Sequence, residues 1–544
     1  MREALTHVRD ETGGAASAAT AGVLGLKTGS IAAIASVAAF VACYLRTFVF
    51  PRVPMMFWAD QSLYSTNGFR LLSGQLPYRD FFEFLTPGTD LVYALLFRCF
   101  GVSLWIPNLL MDILAAIAVL LITLAAAKVL RGAFVFLPAV FAVGFGLFGG
   151  LDATHHWFST VLALAAMVVL LGGTESRRLI AAGALCGLMA SFTQSKGALV
   201  TLGFVVFLIW QSRHRQEPAQ VLWRRCLQFF GSVLASFLAV NIYYMAKLGL
   251  AEWCKWIVVF PLRYYATMPS QTFDSPMHDF RAHAGAMKWL CVPFLYLAVP
   301  LIYLSFLWVM RRRSRLESDQ PWNQLMLIAI TGMAMFLAVA PSLSIMRAST
   351  VSFPATILLA WLLERGSGAR KWAAPGLAIL SLACAVELVA ALQRQHWSYL
   401  DLPAGRTAIQ EPGRYDLYLW MRDHTHPGQT YLGIAPLSLP LWLACPSPIH
   451  APGSWEYYRP EHIARAIAAM EANRIPLLVL RPETEFQGTV GYEPEHLSSF
   501  NEYVALHYRP IQRFSTGDVV WQRVPDAPTP ARGGRQLTKY ALFP

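Results

Sequence analysis

The sequence predicts a polytopic α-helical membrane protein of about eleven transmembrane helices, followed by a small α/β domain outside the membrane. Of its 544 residues, 56% are hydrophobic and 14% are charged, whereas soluble proteins carry about 25% charged residues. The apolar residues fall into blocks near the roughly 20 residues that cross a bilayer. From about Gln393 these blocks stop, and Pro-Gly turns and short strand-like runs begin.

Hydropathy places the predicted spans in chain order, with one long apolar run treated as two helices. That run, 179–211, is too long for one helix and is predicted to form a tight hairpin broken at Thr193–Gly197. Asp90–Phe100 is too short and too charged to cross alone, so we expect it to lie at the interface. The other spans are predicted at 29–50, 105–128, 133–150, 157–173, 227–246, 288–310, 324–341, 350–364 and 372–392.

Charge orients these spans. With residues 1–28 as a cytoplasmic tail, every cytoplasmic loop is basic, as the positive-inside rule requires. The transmembrane domain then covers 29–392, its first loop (about 51–104) faces outward, and 393–544 form an extracytoplasmic domain. The basic loops lie at 128–131, 177–178, 213–225, 311–315 and 365–371.

The net charge of +12 does not indicate nucleic-acid binding, because the basic residues are confined to these loops. The eight cysteines contain no CxxC pair, which disfavours a metal cluster or a disulfide framework. In the C-terminal domain we predict a helix at Pro460–Asn473, strands at 429–435, 476–480 and 518–523, and a linker-like tail from Pro525.

Polar residues gather on the predicted outer face, where their default interpretation is functional. Each also has a plain structural explanation. Asp60 could be a solvated carboxylate or a helix N-cap, and Lys196 could extend to the headgroups. His155-His156 could bind a metal, but adjacent histidines point apart on a helix, which favours interfacial anchoring. Arg263-Tyr264-Tyr265 could equally be an aromatic belt.

The segment WADQSLYSTNGFRLLSGQLPYRDFFEFLTPGTDLVYALLFRCFG (58–101) carries a specific pattern. An acidic residue follows the first span, then come an aromatic stretch, Pro-Tyr-Arg-Asp, and a Pro-Gly-led helix ending in Phe-Gly. This pattern resembles the first outer loop of GT-C fold glycosyltransferases, and is most similar to bacterial protein mannosyltransferases and lipid A aminoarabinose transferases. The matching positions are Asp60, Gly74, Pro77, Tyr78, Arg79, Asp80, Pro87, Gly88, Phe100 and Gly101.

The resemblance implies sugar transfer from a polyprenyl-phosphate donor to an acceptor on the outer face, usually with inversion. It makes Asp60 the candidate catalytic base, and Asp80 and Glu83 the candidate acceptor-site or second carboxylates. Lys196, Arg263 and Arg347 are the candidates for binding the lipid phosphate. The supporting residues would be Tyr78, Arg79, His155, His156, Tyr264 and Tyr265.

This chain departs from the family at Gln61, where many members have a second carboxylate. The resemblance therefore fixes no cofactor and leaves a divalent metal open. The expected partners are the donor, membrane lipids and an unidentified acceptor, and the expected location is the bacterial inner membrane. Two alternatives remain: a transporter or flippase of a lipid-linked substrate, and a catalytically degenerate family member that binds lipid.

Overall fold

The computed structural model describes residues 28–56, 60–263, 275–314, 317, 320–366, 372–433, 437–444, 460–480 and 498–524. The chain divides into two compact units, each assembled from segments that are distant in sequence. The first unit comprises Met1–Phe50, Asn108–Ile242 and Phe273–Arg394. The second comprises Pro51–Pro107, Tyr243–Thr272 and Gln395–Pro544.

Helices dominate the first unit, as its apolar sequence requires, because a backbone in lipid must satisfy its own hydrogen bonds. Eight helices in the described part of the chain are long and apolar enough to cross a membrane. They are Thr28–Thr47, Trp105–Ala126, Gly132–Gly149, Gln194–His214, Ala219–Leu248, Met287–Arg313, Trp322–Ser342 and Ala373–Gln393.

A ninth span is formed if the bent pair Ile345–Val351 and Phe353–Glu364, at 59° to each other, crosses as one. The structure has a helix at every predicted span, which confirms a polytopic helical membrane protein. The exact count of eleven is not confirmed, because two of these helices are short. His155–Leu171 has 17 residues and Ser176–Ala190 has 15, below the roughly 20 that cross a bilayer untilted.

The predicted hairpin is present, but its break differs from the prediction. The chain turns at Ser191–Thr193, and Lys196 lies inside the first turn of Gln194–His214. Gly197 explains the tight turn: a Cβ there would lie 2.4 Å from Cα of Ala190. Only a glycine allows the two helices to approach this closely.

In the second unit, two short helices carry the outer-loop motif. Asp60–Leu72 packs against Gly88–Phe100, the helix that was predicted to lie at the interface. A Cβ on Gly68 would lie 2.5 Å from Cβ of Tyr93, so glycine permits the contact. The side of Gly88–Phe100 that includes Asp90 and Tyr93 is buried.

The C-terminal segment forms the small sheet domain that the sequence predicted. Its four-stranded sheet has the spatial order Tyr431–Gly433, Leu477–Leu480, Val519–Arg523, Tyr508–Arg513. The first pair is parallel and the others are antiparallel. The helices of this domain are Pro412–His424, Ser438–Leu441, Pro460–Ala472 and Ser498–His507.

A hairpin, Ser398–Leu402 with Gly405–Ile409, links this domain to the start of the outer loop. The amide of Met56 donates to the carbonyl of Ala408 at 3.0 Å, and Thr407 Oγ1 donates to the carbonyl of Pro54 at 2.9 Å. The outer loop and the C-terminal segment therefore belong to one structural unit. The shorter remaining elements are Phe48–Val49, Val53–Pro54, Leu250–Cys254, Lys255–Val259, Phe260–Arg263 and Ser275–Ala282.

Candidate functional site

Glu83 is a buried and fully hydrogen-bonded carboxylate of the outer loop. Its side chain is buried, and Oε1 accepts hydrogen bonds from the amides of Phe84 at 2.8 Å and Leu85 at 2.9 Å. Oε2 accepts from the side-chain amide of Asn67 at 3.1 Å. The loop backbone therefore folds around this carboxyl and fixes its orientation.

Burial raises the pKa of Glu83 to about 7, and the nearby charge of Asp60 adds to the rise. The three hydrogen bonds partly offset it by favouring the charged form. Burial also raises the pKa of Asp90 well above its ordinary value, with Glu83 as the second cause. These carboxyls cannot all ionise easily, so the group can hold a shared proton near neutral pH.

Asp60 begins the helix Asp60–Leu72 and is half-buried. Asn67 lies seven residues later, and this spacing puts both side chains on one helical face. Asp60, Asn67, Glu83 and Asp90 are called the acidic cluster below. Asn67 and Asp90 were not predicted as site residues, although the i, i+7 spacing from Asp60 was a usable signal for Asn67.

The Pro-Tyr-Arg-Asp motif forms a hydrogen-bonded turn just before Glu83 in the sequence. Arg79 binds Asp80 with two hydrogen bonds, at 2.8 and 2.7 Å, and Asp80 Oδ2 also accepts from the amide of Leu76 at 2.8 Å. The Arg79 hydrogen bond is the main reason that the pKa of Asp80 falls below its ordinary value. Asp80 is thus engaged in the turn, whereas Glu83 is the carboxyl on which the charge of Asp60 acts.

Arg263, the third predicted phosphate ligand, is the exposed last residue of Phe260–Arg263 in the second unit. An aromatic contact holds this short helix near the outer loop: the rings of Phe82 and Phe260 lie 5.2 Å apart. Tyr264 and Tyr265 lie outside the described residues.

Lys196 belongs to the first unit, and its side chain is fully buried. Its Nζ donates to the carbonyl of His156 at 3.0 Å and to Oγ1 of Thr160 at 3.1 Å. A lysine ammonium has three donors, so these two bonds leave one N–H for another acceptor. The position differs from the exposed turn that the sequence suggested, and it removes lipid snorkelling as an explanation for this lysine.

His155 and His156 are both buried at the start of His155–Leu171. Their ring centroids lie 3.9 Å apart, so the expectation that the two rings point apart is wrong. The first turn of the helix packs against the 191–193 turn, where Nδ1 of His155 lies 2.8 Å from Oγ1 of Thr193. This contact turns the His155 ring toward its neighbour.

Arg347 is half-buried in the short helix Ile345–Val351, also in the first unit. Its guanidinium donates to the carbonyl of Ser342 at 2.7 Å. Its charge acts on Lys196 of the same unit. Lys196 and Arg347, together with the two histidines beside Lys196, are called the cationic cluster below; the lysine and the arginine favour an anion.

Asp279 was missed at the sequence level and positions the Arg347 helix. Its Oδ2 accepts from the amide of Ile345 at 2.8 Å and from the hydroxyl of Tyr296. The side chain comes from Ser275–Ala282, 66 residues away in sequence. No local pattern predicts a contact at that separation.

In the described parts of the chain, no three or more His, Cys, Asp or Glu side chains are arranged to hold a metal ion. The described residues therefore show no ligand set for the divalent metal that the resemblance left open.

These helices and this outer loop define a polytopic membrane protein of the GT-C fold. The fold is similar to that of ArnT from Cupriavidus metallidurans bound to undecaprenyl phosphate, with a TM-score of 0.56 at 14% identity; the match covers 92% of this chain and 98% of that one. Its apo state matches with a TM-score of 0.57 at 12% identity over the same shares.

A second match is the archaeal oligosaccharyltransferase AglB from Archaeoglobus fulgidus, in complex with an inhibitory peptide and a dolichol-phosphate. Its TM-score is 0.53 at 12% identity, over 92% of this chain and 74% of that one. The sequence matches no family model and no curated protein sequence. The likeness confirms the predicted fold.

Proposed function

We propose that this protein transfers a sugar from a polyprenyl-phosphate carrier to a hydroxyl group of an acceptor, on the outer face of the membrane and with inversion. The acidic cluster carries this proposal, because Asp60 at the start of its helix places a proton-accepting carboxylate in the outer loop, and its charge acts on the buried Glu83. The fold adds support, since ArnT was solved with undecaprenyl phosphate and AglB with a dolichol-phosphate.

In the proposed reaction, the acceptor oxygen attacks the anomeric carbon while the bond from that carbon to the phosphate oxygen breaks. The leaving phosphate takes the bonding electron pair, and Asp60 takes the acceptor proton. General-base catalysis of this kind contributes about 10²–10⁴-fold. Asp60 suits the role better than Glu83, because it is half-buried at a helix start while Glu83 is enclosed by its own hydrogen bonds.

Glu83 serves as the partner of the base. With a pKa of about 7, Glu83 holds a proton below neutral pH and then adds no second negative charge beside Asp60. This arrangement takes over the role of the second carboxylate that Gln61 replaces. Ionisation of Glu83 above pH 7 would place two negative charges together and disfavour an approaching phosphate.

The cationic cluster is the proposed phosphate site. Negative charge grows on the phosphate as the glycosidic bond breaks, so fixed cations lower the barrier. Lys196 offers its remaining N–H, and Arg347 offers a guanidinium that can bind two phosphate oxygens. Arg263, the third candidate that the resemblance implies, belongs to the second unit, and its role stays a prediction.

The test uses the purified full chain in lipid nanodiscs with a panel of polyprenyl-monophosphate sugars, and measures release of polyprenyl phosphate. Wild type should release it from at least one donor, and Asp60→Asn should lower the rate by about 10²-fold or more. Asp401→Asn, which changes an exposed carboxylate of the same unit, is the matched control and should behave as wild type.

Near-normal turnover by Asp60→Asn would remove Asp60 as the base. No release from any donor, with donor binding retained, would instead support the transporter or the inactive relative.

A further inference from the structure

A pocket of about 510 Å³ lies within the second unit and is unused by the proposed reaction. Three segments of that unit surround it: the outer-loop turn, the end of Ala219–Leu248 with the start of the next helix, and the C-terminal helix Pro460–Ala472. Its lining residues are Tyr78, Arg79, Lys247, Leu248, Glu252, Arg465 and Ala468.

The charged lining residues leave the pocket cationic. Arg79 is paired with Asp80, and Glu252 is paired with Lys255 at 3.2 Å. Lys247 and Arg465 have no carboxylate within ion-pair distance among the described residues, and both are exposed. The pocket therefore presents two uncompensated cations from two different segments.

Position along the chain places this charge at the membrane surface. Lys247 lies in the last turn of Ala219–Leu248, a 30-residue helix that is apolar enough to cross a bilayer. Basic and aromatic side chains at the end of a span lie at the level of the lipid headgroups. Tyr243, one turn earlier, faces the Lys247 ammonium at 5.9 Å from its ring centre.

The wall of the pocket is rigid. Tyr78 has a left-handed backbone conformation, with φ of 69°, which costs energy for a residue with a side chain. Its hydroxyl donates to the carbonyl of Leu85 at 2.5 Å, and its amide donates to the carbonyl of Phe81 at 2.9 Å. These bonds hold the turn in place, so a ligand meets a preformed surface.

We propose that this pocket binds the phosphate of an anionic membrane-lipid headgroup, through Lys247 and Arg465. Arg465 can bind two phosphate oxygens and Lys247 supplies a point charge. The occupied pocket would tie the C-terminal helix to the end of a membrane-spanning helix within this unit. The site is separate from the proposed sugar transfer and does not depend on it.

The experiment measures lipid retention by native mass spectrometry on the full chain purified in detergent, titrated with phosphatidic acid or with phosphatidylcholine. Wild type should retain phosphatidic acid in preference to phosphatidylcholine. Lys247→Gln and Arg465→Gln should each weaken phosphatidic acid binding roughly tenfold, because hydrogen bonds between charged groups are stronger than those between neutral groups. Arg509→Gln, an exposed arginine of the same unit, is the matched control.

A second arm adds pyrophosphate, without acyl chains, and follows its binding by phosphorus NMR. If phosphatidic acid binds and pyrophosphate does not, the result supports a membrane lipid as the source of the bound phosphate. Equal, variant-sensitive binding of pyrophosphate would support phosphate recognition but overturn the membrane source. Phosphatidic acid retention that is the same in Lys247→Gln, Arg465→Gln and Arg509→Gln would overturn the pocket itself.

Melting temperatures in phosphatidylcholine nanodiscs confirm that each variant is folded. Donor cleavage is measured in parallel, and both pocket variants should retain the wild-type rate. Suppose that wild type cleaves no donor while Lys247→Gln and Arg465→Gln, but not Arg509→Gln, still lose phosphatidic acid. That result would refute the proposed function and leave this inference standing.

Discussion

In the second unit, the buried carboxyl of Glu83 accepts hydrogen bonds from the amides of its own loop. In the first unit, the buried ammonium of Lys196 donates to a carbonyl and a hydroxyl of another helix. Each charge is thus held by neutral polar groups of the protein. Removing a partner of a buried ion pair is costly, and a paired ion is less available to a substrate. Among the described residues, neither Glu83 nor Lys196 forms an ion pair with a group of opposite charge.

The two clusters differ in how far apart their members lie in sequence. Asn67 and Glu83 are 16 residues apart, and both belong to the motif at 58–101. Lys196 reaches His156 across 40 residues, and the Thr160 that it contacts donates to Thr350 across 190. The acidic cluster is therefore a local construction, whereas the cationic cluster depends on how several helices pack. The following predictions test this difference, from the largest expected effect to the smallest.

The first prediction tests the acidic cluster through the pH dependence of folding stability. The pKa of Glu83 is raised to about 7, so the folded protein holds a proton that the unfolded chain releases near pH 4.5. Folding stability should fall as pH rises from 4.5 to 7, by roughly 3 kcal/mol in total. Glu83→Gln cannot ionise, so it should lack this loss.

The measurement is the melting temperature of Glu83→Gln minus that of wild type, followed from pH 5 to pH 8. The difference should grow in favour of the variant as pH rises. Asp60→Asn removes the neighbouring charge and should move the wild-type transition to lower pH. A difference that is constant across this range would contradict the raised pKa.

The second prediction tests the cationic cluster. Lys196→Ala should slow donor cleavage by roughly 10²-fold, or about 2.7 kcal/mol, because one fixed donor to a developing oxyanion is lost. The measurement is the rate of polyprenyl phosphate release at several donor concentrations. Lys255→Ala, an exposed surface lysine, is the control. Unchanged donor KM and rate in Lys196→Ala would exclude Lys196 from the site.

The third concerns Asp279, which positions the Arg347 helix without belonging to it. Asp279→Ala leaves the amide of Ile345 without its side-chain acceptor, and donor KM should rise about tenfold, or 1.4 kcal/mol. Asp279→Asn keeps one acceptor oxygen and should restore most of the affinity. An increase in KM that is equal in both variants would argue against a positioning role.

The smallest effect is expected in the outer-loop turn. Tyr78→Phe removes the hydroxyl that donates to Leu85, which should lower the free energy of unfolding by about 1 kcal/mol. Donor cleavage should be unchanged, since the hydroxyl is not a reacting group. A large loss of cleavage with normal stability would place Tyr78 in the chemistry.

The sequence by itself determined the membrane class, a helix at each span position and the small C-terminal sheet domain. In lipid, a long apolar block satisfies its backbone hydrogen bonds by forming a helix. Composition and the length of the apolar blocks are therefore enough to predict the spans. Glu83 was named from the local motif as a candidate second carboxylate, and that role stays a prediction; its hydrogen-bond partners lie within the same short stretch. Helix bounds in the C-terminal domain were close, as at Pro460–Ala472.

Only the tertiary structure decided which segments form one unit and which side chains meet. The outer loop joins the C-terminal segment through two hydrogen bonds, Met56 to Ala408 and Thr407 to Pro54. Each links residues more than 300 positions apart. Asp279 meets Ile345, and Lys196 is buried where a turn was expected. Such contacts depend on side-chain packing between elements, and this packing leaves no periodic signal in the sequence.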